Sequence, residues 1–136
     1  MTHTTDYGVS GMLMAATMVS ALVSLNAIAQ TYPSRPVRLV IPFGTGGSAD
    51  ISGRLTAQKL SEALGQTFVV DNRGGAGGIL GTEVVARAAP DGYTLLLGSF
   101  GTHTANPSLY KKLSYDPIAD FAPVSLIATV PNVLVV

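Results

Sequence analysis

Residues 37–50 read VRLVIPFGTGGSAD, and the join inside that stretch decides the fold. Val37-Arg38-Leu39-Val40-Ile41-Pro42-Phe43 is a short β-branched apolar run bounded by Pro36 and Gly44, the pattern of a strand buried in a parallel sheet. Pro42 belongs at its C-terminal end, where no ladder hydrogen bond is lost. The small residues Gly44-Thr45-Gly46-Gly47-Ser48-Ala49-Asp50 then turn the chain into a helix over 48–64. Within it Ile51, Leu55, Leu60 and Leu64 fall close to one face and are expected to meet the core, while Arg54, Lys59 and Glu62 lie elsewhere. Gly65 is placed to end the helix as a C-terminal glycine.

Working outward, the unit repeats. Residues 67–70 read as a second strand, 71–78 as a glycine-rich loop and 79–89 as a helix stopped by Pro90. Asp91-Gly92 turns the chain, and Tyr93-Thr94-Leu95-Leu96-Leu97-Gly98 is a third apolar strand. The order strand, helix, strand, helix, strand predicts an α/β parallel sheet with right-handed crossovers. Past Ser99 the pattern is irregular, with a short helix expected near 107–112, a turn around 116–121, and strands over 124–128 and 133–136 separated by Pro131-Asn132. The last strand stops without a polar tail and is read as a truncation.

The N-terminus reads as an export signal. Residues 12–25 form an uncharged apolar run, short of the roughly 20 residues a membrane span needs. Ala27-Ile28-Ala29 has small residues at alternate positions, so residues 1–29 are expected to be a signal peptide cleaved after Ala29, leaving an α/β lobe over 30–136. A basic leading segment is missing, since residues 1–11 carry Asp6 and neither Lys nor Arg. Zero formal net charge with 12% charged residues gives no basic surface for a phosphate backbone, so nucleic acid is not an expected partner. The absence of cysteine excludes disulfides and thiolate metal sites, and with only His3 and His103 no metal cluster or cofactor is expected.

In an open parallel sheet, ligands bind beyond the C-terminal strand ends. Three loops fall there. The first offers Gly46, Gly47 and Ser48 at a helix start, where unpaired amides and the helix dipole stabilise an anion without Lys or Arg. The second, Asn72-Arg73-Gly74-Gly75-Ala76-Gly77-Gly78, offers Gly75, Ala76, Gly77 and Gly78 in the same setting. The third offers Ser99, Thr102 and His103. Ser48 is expected to N-cap its helix, Asp50 to complement the dipole and orient the loop, and Arg73 to pair locally. Ser99, His103 and Asp91 make a triad formally conceivable, but Ser99 lacks the Gly-x-Ser-x-Gly elbow and no catalytic residue is assigned.

Several blocks in order resemble the tripartite tricarboxylate transporter receptors, also called Bug proteins: RPVRLVIPF at 35–43, GGSAD at 46–50, VDNR at 70–73, GAGG at 75–78, AAPDGYTLL at 88–96, NPSLY at 106–110 and DFAPV at 120–124. The resemblance implies a periplasmic-binding-protein-like (type II) lobe, incomplete because the second lobe is absent. It further implies capture of a small carboxylate by the loop amides, delivery to membrane transporter subunits, a monomer, a periplasmic location and no enzymatic activity. Thr45 and Gly74 stand where members commonly carry Pro or Ala and Pro, which loosens both loops. The competing reading is a Rossmann dinucleotide-binding domain of an oxidoreductase, since Gly44-x-Gly46-x-x-Ala49 opens a helix and Asp71 ends the second strand.

Overall fold

A computed structural model describes residues 31–130; the signal peptide expected over 1–29 and the strand expected over 133–136 lie outside the described residues. All that follows lies in one compact unit starting at Pro33. Strand β1 (Val37–Ile41) leads into helix α1 (Ser48–Leu64), then strand β2 (Phe68–Asn72), a 3₁₀ turn (Ala76–Gly78), helix α2 (Ile79–Ala86) and strand β3 (Thr94–Leu96). A π-type turn (Gly101–Ala105) and the short helix α3 (Asn106–Leu109) follow. The three strands form one parallel sheet in the order β2-β1-β3. Val37 stands beside Phe68 and Ile41 beside Asn72, while Arg38 stands beside Thr94 and Val40 beside Leu96.

The central strand is buried because both its faces are covered. Val37, Leu39, Phe68 and Ala57 form the core on the α1 side, with Leu60, Val70, Tyr93, Leu95 and Leu97 packed against them. On the opposite face α2 closes over Pro42, where a Cβ placed on Gly81 would lie 2.8 Å from the Pro42 Cα. The extended lead-in is strapped to the sheet: Ser34 N–H donates to the Tyr93 hydroxyl at 3.0 Å, and Arg35 lies over the Tyr93 ring while pairing with Asp91 at 2.9 Å.

The face of α1 that meets the sheet differs from the expectation. Ile51 and Leu55 are 65% and 58% exposed, and the buried stripe is Asp50, Gly53 and Ala57. Close approach explains it, because a Cβ on Gly53 would stand 2.5 Å from the Ile41 Cδ1. Small residues let the helix axis come down onto the sheet, and the larger side chains are left outside that contact. Gly65 ends the helix as expected, at φ 68° with its N–H on the Ser61 carbonyl.

Other elements are shorter or missing: β3 covers 94–96 of the expected 93–98, and the helix expected near 107–112 is Asn106–Leu109. Helix α2 stops at Ala86 rather than running to 89, and residues 124–128 are not a strand. Val124 and Leu126 are more than four-fifths exposed, and β-branched composition does not make a strand without a partner to complete its ladder. Among the described residues β3 pairs only with β1, so its outer edge is open.

Candidate functional site

The C-terminal ends of β1 and β2 bring the first two glycine loops together. A Cβ on Gly74 would lie 3.1 Å from the Gly44 nitrogen and 3.4 Å from the Phe43 carbonyl carbon, so the two backbones are in contact. Residues 44–48 and 73–77 are exposed as one continuous rim. The third loop abuts the second from behind: Asn106 donates its side-chain amide to the Gly77 carbonyl at 3.1 Å, and a Cβ on Gly78 would stand 2.9 Å from the Thr102 Cγ2.

Loop one is built around Asp50. Its carboxylate is buried at 5% exposure, accepts the Gly46 N–H at 2.9 Å and the Asn72 side-chain amide at 3.0 Å, and pairs with Arg54 at 2.9 Å. Those bonds, Arg54 first, then the Gly46 amide, outweigh burial and hold its pKa at about 2. These bonds tie Asp50 to the loop before it. Ser48 is not the cap: α1 begins at Ser48 with Gly47 at the N-cap and no side-chain cap bond. The Asp50 carboxylate instead reaches back to the Gly46 N–H, one residue before the cap. The Gly46 amide is therefore already used, whereas the Ser48 and Ala49 amides precede the first intrahelical bond, which runs from Ile51 N–H to the Gly47 carbonyl.

Loop two is not a copy of loop one. Its helix is entered through the 3₁₀ turn, so the Gly78 N–H is spent on the Gly75 carbonyl at 2.9 Å and the Ile79 N–H on Ala76. Gly78 is buried, which leaves Gly75, Ala76 and Gly77 on the rim. All three have positive φ, at 128°, 48° and 64°. For Ala76 that is a strained conformation, and such strain clusters at ligand contacts. Arg73 pairs with Asp71 at 3.0 Å, the local pairing expected of it.

Loop three packs behind loop two rather than on the rim. Thr102 is fully buried; its hydroxyl accepts the Ser99 N–H at 3.0 Å and sits 2.9 Å from the His103 Nδ1. The Tyr115 hydroxyl donates to the Thr102 carbonyl at 2.6 Å. Thr102 therefore braces the turn and leaves the candidate set. His103 meets Phe121 edge-on with ring centres 5.1 Å apart, and burial pushes its pKa below the ordinary value. Ser99 and His103 line a broad groove of about 1530 Å³ along the open edge of β3, with Ser52, Leu95, Leu97 and Leu126, and none of the rim residues of loops one and two reaches it. The groove is lined mostly by apolar side chains. The glycine rim is the better anion site. The triad does not assemble, since Asp91 is held by Arg35 and caps the Tyr93 N–H.

Sequence reasoning missed Asn72 and Arg54. Asn72 donates to both the Asp50 carboxylate and the Phe43 carbonyl, and Arg54 reaches the Asn72 side-chain oxygen at 3.1 Å. An amide residue at a strand end, beside a glycine loop, was the only sequence signal of that role.

With this geometry in place, similarity to known proteins becomes informative. Residues 53–136 match the tripartite tricarboxylate transporter family receptor. The chain belongs to that family. Among its relatives in the receptor family is protein BugT of Bordetella pertussis, 44% identical over 128 residues, which are 93% of this chain and 38% of that protein. The solved periplasmic binding protein BugD is 50% identical, with a TM-score of 0.65 over 68% of this chain and 30% of its own. MatC from Rhodopseudomonas palustris, solved with bound malate, is 46% identical with a TM-score of 0.68 over 71% of this chain and 33% of its own. An R. palustris protein solved with adipate is 45% identical with a TM-score of 0.62, over 63% of this chain and 29% of its own. The chain thus spans about two fifths of the length of BugT and less of the solved receptors. The sheet described above is part of a periplasmic-binding-protein lobe. Family membership displaces the Rossmann reading. So does Asp71, whose carboxylate is held by both Arg38 and Arg73 and is not open to a ribose.

Proposed function

We propose that the protein is a periplasmic receptor that captures a small carboxylate and hands it to the membrane subunits of a tripartite transporter. The observation that carries this reading is the contact of Gly74 with Gly44, which sets two exposed glycine loops side by side at the strand ends. On one side of that rim stand the Ser48 and Ala49 amides at the start of a 17-residue helix, whose dipole favours negative charge. On the other stands the positive-φ strap Gly75, Ala76 and Gly77. Gly46 serves through its fixed backbone and Gly47 through its lack of a side chain, which lets a carboxylate approach. The bound malate of MatC and the adipate of the other R. palustris protein support the same ligand class for this rim. Capture needs no covalent step and no cofactor. A second lobe contributed by the longer protein would close over the ligand, which a one-walled rim leaves exposed.

Isothermal titration of the full-length protein against malate, adipate, an aromatic acid, an amino acid and NADH tests the proposal. Saturable binding of one of the acids, without NADH binding, is expected. Tight NADH binding with no response to the acids would overturn it.

A further inference from the structure

We propose that Asp50 is the positioning residue of this site, the group that fixes the first glycine loop and ties it to the second through Asn72. The proposal rests on the carboxylate reading above for its binding consequence, but its geometry stands apart from that reading.

A buried carboxylate close to an anion site opposes the ligand's charge. Its presence calls for another role, and its partners supply one. They come from three different segments: the Gly46 amide of loop one, Arg54 one turn along α1, and Asn72 at the end of β2. Arg54 also bonds the Asn72 side-chain oxygen, so Asp50, Asn72 and Arg54 close a ring of interactions. Asn72 extends the ring to the backbone by donating to the Phe43 carbonyl at 3.2 Å, directly before loop one. Arg54 offsets the carboxylate's charge locally, so what Asp50 adds is geometry.

The chemistry of the ring is specific. All three partners donate to Asp50, and a carboxylate is acceptor-only with room for about four bonds. Asparagine at this position would turn an NH₂ donor against at least one of those donors. The obvious substitution is therefore informative even though it is nearly isosteric.

The test uses full-length protein carrying Asp50→Asn or Asn72→Ala, read by amide hydrogen exchange and by malate titration. For Asp50→Asn the Gly46 amide is expected to exchange at least tenfold faster while the Leu39 and Val40 amides of β1 keep their protection. Malate affinity should fall about tenfold, the equivalent of one hydrogen bond. For Asn72→Ala, Gly46 should stay protected while residues 73–77 exchange faster, because only the link between the loops is cut. Unchanged exchange at Gly46 in Asp50→Asn, or equal acceleration at Leu39 and Val40, would overturn the proposal. If the unsubstituted protein binds no carboxylate, the function proposed above fails, and exchange at Gly46 still decides the role of Asp50.

Discussion

Replacing Gly81 with alanine probes how the second loop is held against the first. The new Cβ would lie 2.5 Å from the Arg73 carbonyl oxygen and 2.8 Å from the Pro42 Cα, both backbone atoms. Ordinary contact begins near 3.5 Å, so α2 must move out by roughly 1 Å or the start of loop two must give way. Two terms oppose each other. Alanine in a helix interior gains about 1 kcal/mol over glycine. Overpacking costs about 1–3 kcal/mol, and a clash against backbone on two sides belongs at the upper end. The net expectation is a loss of about 1–2 kcal/mol. Gly53→Ala is the matched control, since it makes the same exchange within a helix but meets side chains rather than backbone, Ile41 Cδ1 at 2.5 Å and Cγ1 at 3.2 Å and Leu97 Cδ2 at 3.2 Å. Side chains can shift where backbone cannot, so its cost should be smaller than that of Gly81→Ala. Urea unfolding of both variants gives the difference, provided the slope with denaturant is unchanged. Gly81→Ala proving as stable as Gly53→Ala would refute the backbone-contact reasoning.

Two other perturbations follow from the hydrogen bonds. Thr102→Val keeps the shape of a fully buried residue but leaves the Ser99 N–H without its acceptor, so unfolding free energy should drop by about 1–3 kcal/mol while carboxylate affinity, measured by calorimetry, stays the same. Asp50 has a folded pKa of about 2 against an ordinary 3.8, so its contribution is fully present above 3.8 and is lost as pH falls through about 2. Asp50→Asn should therefore shrink the acid-side loss of stability in that window, in a denaturation series taken from pH 5 to 2; an unaltered acid limb would count against the assignment.

How much of this was legible beforehand depended on what each residue had to do. The bounds of α1 were readable because glycines stand at both ends, Gly47 before it and Gly65 at φ 68° after it. Its buried face was not, because counting apolar residues selects Ile51 and Leu55, whereas the helix packs through Gly53 and Ala57 by being thin there. The parallel sheet followed from alternating strand and helix patterns. The strand expected over 124–128 failed for the opposite reason: its composition is local, but a ladder needs a neighbour that no local pattern supplies.

The site was legible as loops and illegible as bonds. Glycine runs after two successive strands pointed to the rim, and the structure does place them in contact. Which amides remain open depended on partners distant in sequence. Asp50 takes Gly46, and the 3₁₀ turn takes Gly78. Thr102 and His103 looked equivalent to the glycine loops because they too follow a strand, yet Thr102 turns inward and His103 leans on Phe121.

The most direct measurement is a ¹H–¹⁵N NMR titration of the full-length protein with malate or adipate, resolving individual backbone amides. The account predicts that saturating shifts concentrate at residues 47–49 and 75–77, with downfield movement as those amides acquire a charged acceptor. Shifts confined instead to the groove beside β3, at Leu95, Leu97 and Ser99, with residues 47–49 unmoved, would contradict it.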